Sequence, residues 1–247
     1  MQDLLVSIHI PKTAGVSFGA ALREAFGKAH IRRDYFHARD FERLHQKGVD
    51  PLEIHKRWLR RNPAMSLAMY LAGPAFVGAD VHCVHGHFAA VKYLPAVLHR
   101  RVRFITWVRH PFDRLVSTYY FWRRLKPENI RDPFVNRVLD EDWSLEDLCL
   151  CPAMTDYQSA HFSGFPLRRL AFIGVTEHYD EDLDWFSRRF FGRPLTSVRL
   201  NTTAASQARR DDASLADLKR RVEDHHRADM ALYRHALALR AERAPPP

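Results

Sequence analysis

Residues 4–10, LLVSIHI, form a continuous apolar run ending at a proline, the pattern of a parallel-sheet strand buried on both faces. The next stretch, SFGAALREAFG, switches to helical spacing, with Phe18, Ala21, Leu22 and Phe26 on one face and Gly27 as a stop. Residues 39–72 read as helical and contain the basic segment HKRWLRR, a solvated helix face in the simplest view. DVHCVHGHF reads as a second strand ending in a glycine-containing turn, and VRFITWV (102–108) as a third. PFDRLVSTYYFWRRL opens with Pro111 in a first-turn position and continues as an amphipathic helix. LAFIGVTEHYDEDLDWFSRRFFG supplies a fourth strand, a turn and a helix that closes at Gly192. LNTT leads into a loop, then 214–242 forms one or two charged helices with a break near His225–His226. Strands alternating with helices predict an α/β fold, a mainly parallel sheet covered on both faces. No repeat, low-complexity block or linker divides the chain, so 1–247 is expected to be one domain with a frayed tail at 244–247.

Composition narrows the partners. The formal charge is +9, and of the 38 Lys and Arg residues only seven are Lys. Arginine's planar fork suits phosphate, sulfate and carboxylate, so an anionic ligand is expected. Arg and Ala richness can equally follow from genome composition. The positive residues are spread out rather than clustered with stacking aromatics, which argues against nucleic acid as the partner. Three cysteines, Cys83, Cys149 and Cys151, cannot build a disulfide framework and fit a reducing compartment. The start MQDLLVSIHIPK has no basic region and no cleavage-like site, and no stretch approaches the roughly 20 apolar residues of a membrane span. The expectation is a cytoplasmic protein without a membrane span.

In parallel sheets, ligands sit beyond the carboxyl ends of the strands, where a loop enters a helix N-terminus. PKTAGVSF (11–18) occupies that place after the first strand. Lys12 can put an ammonium on a phosphate oxygen, Thr13 and Ser17 offer hydroxyls, and the N–H groups of 14–18 can close around an anion because Ala14 and Gly15 leave room. The bland alternative is an ordinary strand-to-helix turn. TWVRHPFDRLVSTYYF repeats the logic after the third strand: Arg109 at the strand end can grip a second phosphate, and Ser117, eight residues on, can hydrogen-bond it. Structural alternatives are an Arg109–Asp113 ion pair and a surface hydroxyl for Ser117.

Together these two stretches resemble sulfotransferases that use 3′-phosphoadenosine 5′-phosphosulfate, especially carbohydrate sulfotransferases related to heparan sulfate 2-O-sulfotransferase. The matches are Lys12, Thr13, Gly15, Ser17 and Phe18, then Arg109, Pro111, Arg114, Ser117 and Tyr119; FIGVTEHYDEDLDWF, LNTT and DMALY also look like family elements. The resemblance implies a P-loop-kinase-like three-layer fold. It also implies a donor site in which Lys12, Thr13, Ala14, Gly15, Val16, Ser17 and Phe18 hold the 5′-phosphosulfate while Arg109 and Ser117 hold the 3′-phosphate. Two positions depart from the family pattern: Val16 stands where a Thr hydroxyl is common, and His110 replaces the usual acidic residue. In the related enzymes an H-G-H segment carries the base, and here HCVHGHF places His87 in that role with His85 beside it. A neutral imidazole can take the proton of a sugar hydroxyl as the new S–O bond forms, and Lys12 can stabilise charge on the departing bisphosphate.

The implied reaction moves a sulfuryl group to a hydroxyl of a carbohydrate or glycolipid, without a metal. Zinc on Cys83, His85 and His87 is a competing possibility, but no partner pair stands at a familiar spacing. His85 and His87 can also be satisfied polar residues at a strand end. His9, on the first strand next to the loop, has two readings, facing the same cleft or serving the structure, and Gln158 and His161 in TDYQSAHFSG are minor candidates near donor or acceptor. Rival functions are a small-molecule or tyrosine O-sulfotransferase with the same donor site and a non-catalytic binder of polyanions. A nucleotide kinase would need G-K-[ST] and a magnesium carboxylate, neither of which is evident.

Overall fold

The structure is a computed structural model that describes residues 3–35, 77–126, 128, 130, 132–197 and 215–243. The helix expected within 39–72 with its HKRWLRR segment, LNTT and the loop after it, and the 244–247 tail lie outside those residues.

Five strands form one sheet: β1 (Leu4–Ile8), β2 (Ile31–Arg33), β3 (Cys83–Gly86), β4 (Val102–Val108) and β5 (Leu170–Val175). Their order is β2-β3-β1-β4-β5, and every pairing is parallel. The helices that bear on the site are α1 (Gly15–Phe26), α2 (Pro111–Trp122), α3 (Pro133–Asp140), α4 (Leu145–Leu150), α5 (Tyr157–Ala160), α6 (Tyr179–Phe191), α7 (Ala216–His225) and α8 (Arg227–Ala241). The α/β class with helices on both faces of a parallel sheet is therefore as the sequence pattern predicts. Among the described residues, no helix is long and apolar enough to cross a membrane.

Strand alternation builds the two faces. Leu4, Val6 and Ile8 of β1 join Val84, Phe104, Val108 and Ile173 in a core closed by Tyr93, Leu232 and Ala236. Leu5 instead joins Cys83, Ile105 and Phe172 beneath Phe18 and Leu22 of α1 and Leu183 and Phe186 of α6. A third cluster packs α2, α4 and α7 through Phe112, Leu115, Leu148 and Val222. The helix ends follow the sequence signals: Gly27 (φ 75°) closes α1, Gly192 (φ 67°) closes α6, Pro111 opens α2, and His226 separates α7 from α8. The exception is β2, whose three residues IRR have only one apolar side chain. Such a strand carries no alternation to detect, and it forms because its backbone pairs with β3.

Candidate functional site

The register decides what meets at the carboxyl ends of the strands. Ile8 lies beside Gly86 of β3 and Thr106 of β4, so the residues after these positions emerge together from one end of the sheet. They bring three sequence candidates, Lys12, His87 and Arg109, to one end of the sheet. Arg109 is joined to the first loop directly, its Nη1 donating to the Lys12 carbonyl at 3.2 Å.

That loop has an unusual backbone. Lys12 (φ 69°) and Ala14 (φ 62°) both occupy the left-handed region, where a Cβ crowds the following carbonyl. Thr13 between them is buried, and its hydroxyl donates to the Ile10 carbonyl at 2.9 Å. The Thr13 hydroxyl thus closes the turn within the loop. The Phe18 ring is fully buried against Trp107 and Phe186, and its N–H donates to the Ala14 carbonyl. The N–H groups of Gly15, Val16 and Ser17 make up the first turn of α1, the part of a helix whose N–H groups have no intrahelical acceptor. The Ser17 side chain is buried and Val16 is exposed.

Gly15 makes room for a neighbouring ring. A Cβ at this position would fall 1.8 Å from the His9 ring, so only glycine lets His9 lie against the start of α1. His9 is the centre of a histidine stack. His85 lies parallel to it (centroids 5.1 Å, 12°), and His87 meets it edge-on at 4.4 Å, with His87 Nε2 and His9 Nδ1 sharing a hydrogen bond at 3.1 Å. Strand alternation accounts for this: Ser7 of β1 with His9 just beyond it, and Cys83 and His85 of β3 with His87 just beyond it, follow the odd positions that face α1. His85 Nδ1 and Ser7 Oγ pair at 2.9 Å, and Tyr35 packs edge-on to His87 at 4.8 Å. Burial pushes the His85 pKa down to about 3, with the His87 and Arg33 charges adding to it. His9 is pushed well below its ordinary value, by burial first and then by His87 and His85. Both rings are therefore neutral at ordinary pH, and of the three only His87 is half-exposed.

Lys12 sits in a cationic corner. Its Nζ lies 4.0 Å from the centre of the Phe121 ring, and burial, then Arg109 and Arg124, lower its pKa to about 8. Ser117, Phe121 and Arg124 are spaced i, i+4, i+7 on α2 and its continuation, so one stripe of that helix turns toward the loop. Ser117 is half-buried on that stripe, ~9 Å along the axis from Pro111 at 1.5 Å per residue. Arg124 was not a sequence candidate; the stripe that begins at Ser117 is the signal that locates it.

Gln158 has a defined task. Its Oε1 accepts the Arg109 N–H at 3.0 Å and its Nε2 donates to the Arg109 carbonyl at 2.8 Å, closing both sides of that peptide. Gln158 is itself fixed by Asp229, whose carboxylate accepts the N–H groups of Gln158 (3.1 Å) and Ser159 (2.7 Å). Asp156 reciprocates at the start of α8, accepting from Ala228 and Asp229 at 2.9 and 3.0 Å. His161 is buried with Nδ1 on the Tyr157 carbonyl at 3.0 Å. Arg114, Tyr119 and His110 also serve the framework. Arg114 is buried over the Tyr157 ring, the Tyr119 hydroxyl donates to the Trp143 carbonyl at 3.1 Å, and His110 Nε2 lies 3.2 Å from Glu223.

The assembled arrangement offers a strained cationic loop at a helix N-terminus, a tethered arginine and an imidazole at the end of a neutral stack. It can hold an anion and accept a proton. In comparison with known proteins, no family model matches this chain, and no curated protein matches it.

Proposed function

We propose that this protein is a sulfotransferase that moves a sulfuryl group from 3′-phosphoadenosine 5′-phosphosulfate to a hydroxyl of a carbohydrate or glycolipid. The observation that carries the reading is the union of two phosphate-type loops at one end of the sheet, with Arg109 bonded to the Lys12 carbonyl and His87 on the neighbouring strand end. In this reading the first turn of α1 and Lys12 hold the 5′-phosphosulfate, while Arg109, with Ser117 on the α2 stripe, holds the 3′-phosphate. His87 takes the acceptor's hydroxyl proton as the oxygen bonds to sulfur and the bond from sulfur to the bridging oxygen breaks; Lys12 stabilises the charge left on the bisphosphate. A base at His87 Nδ1 requires the tautomer in which His87 Nε2–H donates to His9 Nδ1 across their 3.1 Å hydrogen bond. His85, held at about 3, gives up the catalytic part that its neighbourhood implied and supports the stack instead. Free, buried Cys83, Cys149 and Cys151 fit a cytoplasmic setting.

Thermal melting tests the donor site. Adenosine 3′,5′-bisphosphate should raise the melting temperature without magnesium, ATP should not, and an oligonucleotide should do little. A shift with the oligonucleotide alone would favour a polyanion binder, and a magnesium-dependent shift with ATP would favour a kinase. Transfer of labelled sulfate across a panel of saccharides and phenols then identifies the acceptor class.

A further inference from the structure

A second concavity runs along α1 and shares Gly15 and Val16 with the end of the Lys12 loop. Gly15, Val16, Gly19, Leu22 and Arg23 of α1, Lys28, and Ile31, Arg33 and Tyr35 around β2 enclose a cavity of about 490 Å³, with His85 at its base. Its floor is apolar, and Val16 is 57% exposed there although it is a valine. Its rim carries Arg23, Lys28 and Arg33, and no acidic residue lines it. The adjacent acids are engaged elsewhere. Asp34 is buried and bound by Lys92 at 2.6 Å and by Tyr93, and Glu24 accepts from Arg193 at 3.4 Å and from the Thr196 N–H at 3.0 Å. Among the described residues, no carboxylate pairs with Arg23, Lys28 or Arg33. Their field reaches the buried rings: Arg33 and Arg23 both press the His85 pKa down, and Arg33 does the same to His9.

Three cations around an apolar, ring-sized hollow call for a counter-charge attached to an apolar body. A cavity of this size falls in the range that encloses a small organic ligand. We infer that the α1–β2 cavity binds a small organic anion, one flat ring bearing a single phosphate, sulfate or carboxylate, as a ligand separate from the one at the Lys12 loop. The ring lies on Val16, Leu22 and Ile31, and the anionic group faces Arg23, Lys28 and Arg33. The cavity shares Gly15 and Val16 with the first turn of α1, while Gly19, Leu22, Arg23, Lys28, Ile31 and Arg33 belong to it apart from the Lys12 loop.

Calorimetric titration of the full chain with 4-nitrophenyl phosphate tests this, with neutral 4-nitrophenyl β-glucoside as the control. Both titrations are repeated with the Arg23→Glu, Arg33→Glu double variant, whose altered side chains are exposed, and in saturating adenosine 3′,5′-bisphosphate. The phosphate should bind once per chain and the glucoside about tenfold more weakly or less; the double variant should lose about tenfold or more of the phosphate affinity, as charge reversal at a binding surface does. The wild-type affinity should fall with added salt and persist in the bisphosphate. Equal phosphate binding by wild type and double variant, equal binding of phosphate and glucoside, or displacement by the bisphosphate would each overturn the inference.

Discussion

Acid should destabilise this protein through two histidines that lie inside it. His85 is 5% exposed, stacked beneath His9 and tied to Ser7, and burial holds its pKa at about 3. In the unfolded chain both histidines return to the ordinary value of 6.5. As pH falls through 6.5, the unfolded state binds protons that the folded state refuses, so stability decreases with falling pH and keeps decreasing until pH reaches the folded value. Linkage for one histidine held at about 3 gives a loss of ~2 kcal/mol between pH 7.5 and pH 5. His9, shifted in the same direction, adds a loss of the same sign. Set against the ~5–15 kcal/mol of a typical domain, this is a large fraction. Urea unfolding of wild type and His85→Gln across that pH interval measures it. The variant can be less stable at pH 7.5, yet its further loss on acidification should be smaller by ~2 kcal/mol. An NMR titration of the wild-type ring gives a second readout, and His85 should stay neutral down to pH 5. Equal acid losses in the two proteins, or a His85 ring that titrates near its ordinary value while folded, would refute the desolvation argument.

The site makes further demands. His87→Ala should lower turnover ~10²–10⁴-fold with bisphosphate affinity nearly unchanged; activity near wild type would move the base elsewhere. Arg109→Ala should cost about 2–5 kcal/mol of bisphosphate binding and bind adenosine 5′-phosphosulfate about as weakly as wild type does. Equal losses for the two nucleotides by calorimetry would show that Arg109 holds the loop alone. Gln158→Leu removes both bonds to the Arg109 peptide inside the protein and should cost ~2–4 kcal/mol of stability. Gln158→Glu keeps the acceptor for the Arg109 N–H and should fall between in denaturant unfolding; a Leu variant as stable as wild type would sink the clamp. At pH 8 Lys12 is about half protonated, so binding a phosphate there should take up about half a proton. Calorimetry in buffers of different ionisation enthalpy reads that uptake, and none at all would mean that the anion lies elsewhere.

The parts of this fold legible in sequence were those with a strong period. The β4 run VRFITWV matches its strand end to end, and the Pro111 and Gly192 signals mark real helix ends. β2 escaped notice because IRR has no alternation and depends on β3 for its existence. The strand pattern already brought Lys12, Arg109 and His87 to one end of the sheet, while the surroundings of each candidate depend on partners distant in sequence. His85 looks like a second base until Ser7 and the stack bury it, 78 residues away along the chain. Thr13 looks like a ligand hydroxyl until its bond to Ile10 is seen. Gln158 lies 49 residues from the peptide it clamps, and nothing local to TDYQSAHFSG reveals that bond.

The loop's chemistry is tied to bonds made far from it. Left-handed backbone at Lys12 and Ala14 costs ~1–2 kcal/mol at each residue, and a free segment would relax out of it. Thr13 restrains it from within, and Arg109 restrains it from β4 by binding the Lys12 carbonyl. Arg109 is in turn held through its own peptide by Gln158, Gln158 by Asp229 of α8, and the start of α8 by Asp156. A chain of bonds therefore runs from the C-terminal helix to the first loop. What it preserves is a poor setting for a charged Lys12, because burial, Arg109 and Arg124 all disfavour that charge. Strain and like-charge crowding meet here at a helix N-terminus, where the backbone field favours a negative charge. A negative charge there would reverse the electrostatic balance on Lys12, which is the reason the proposed function puts the phosphosulfate at this loop.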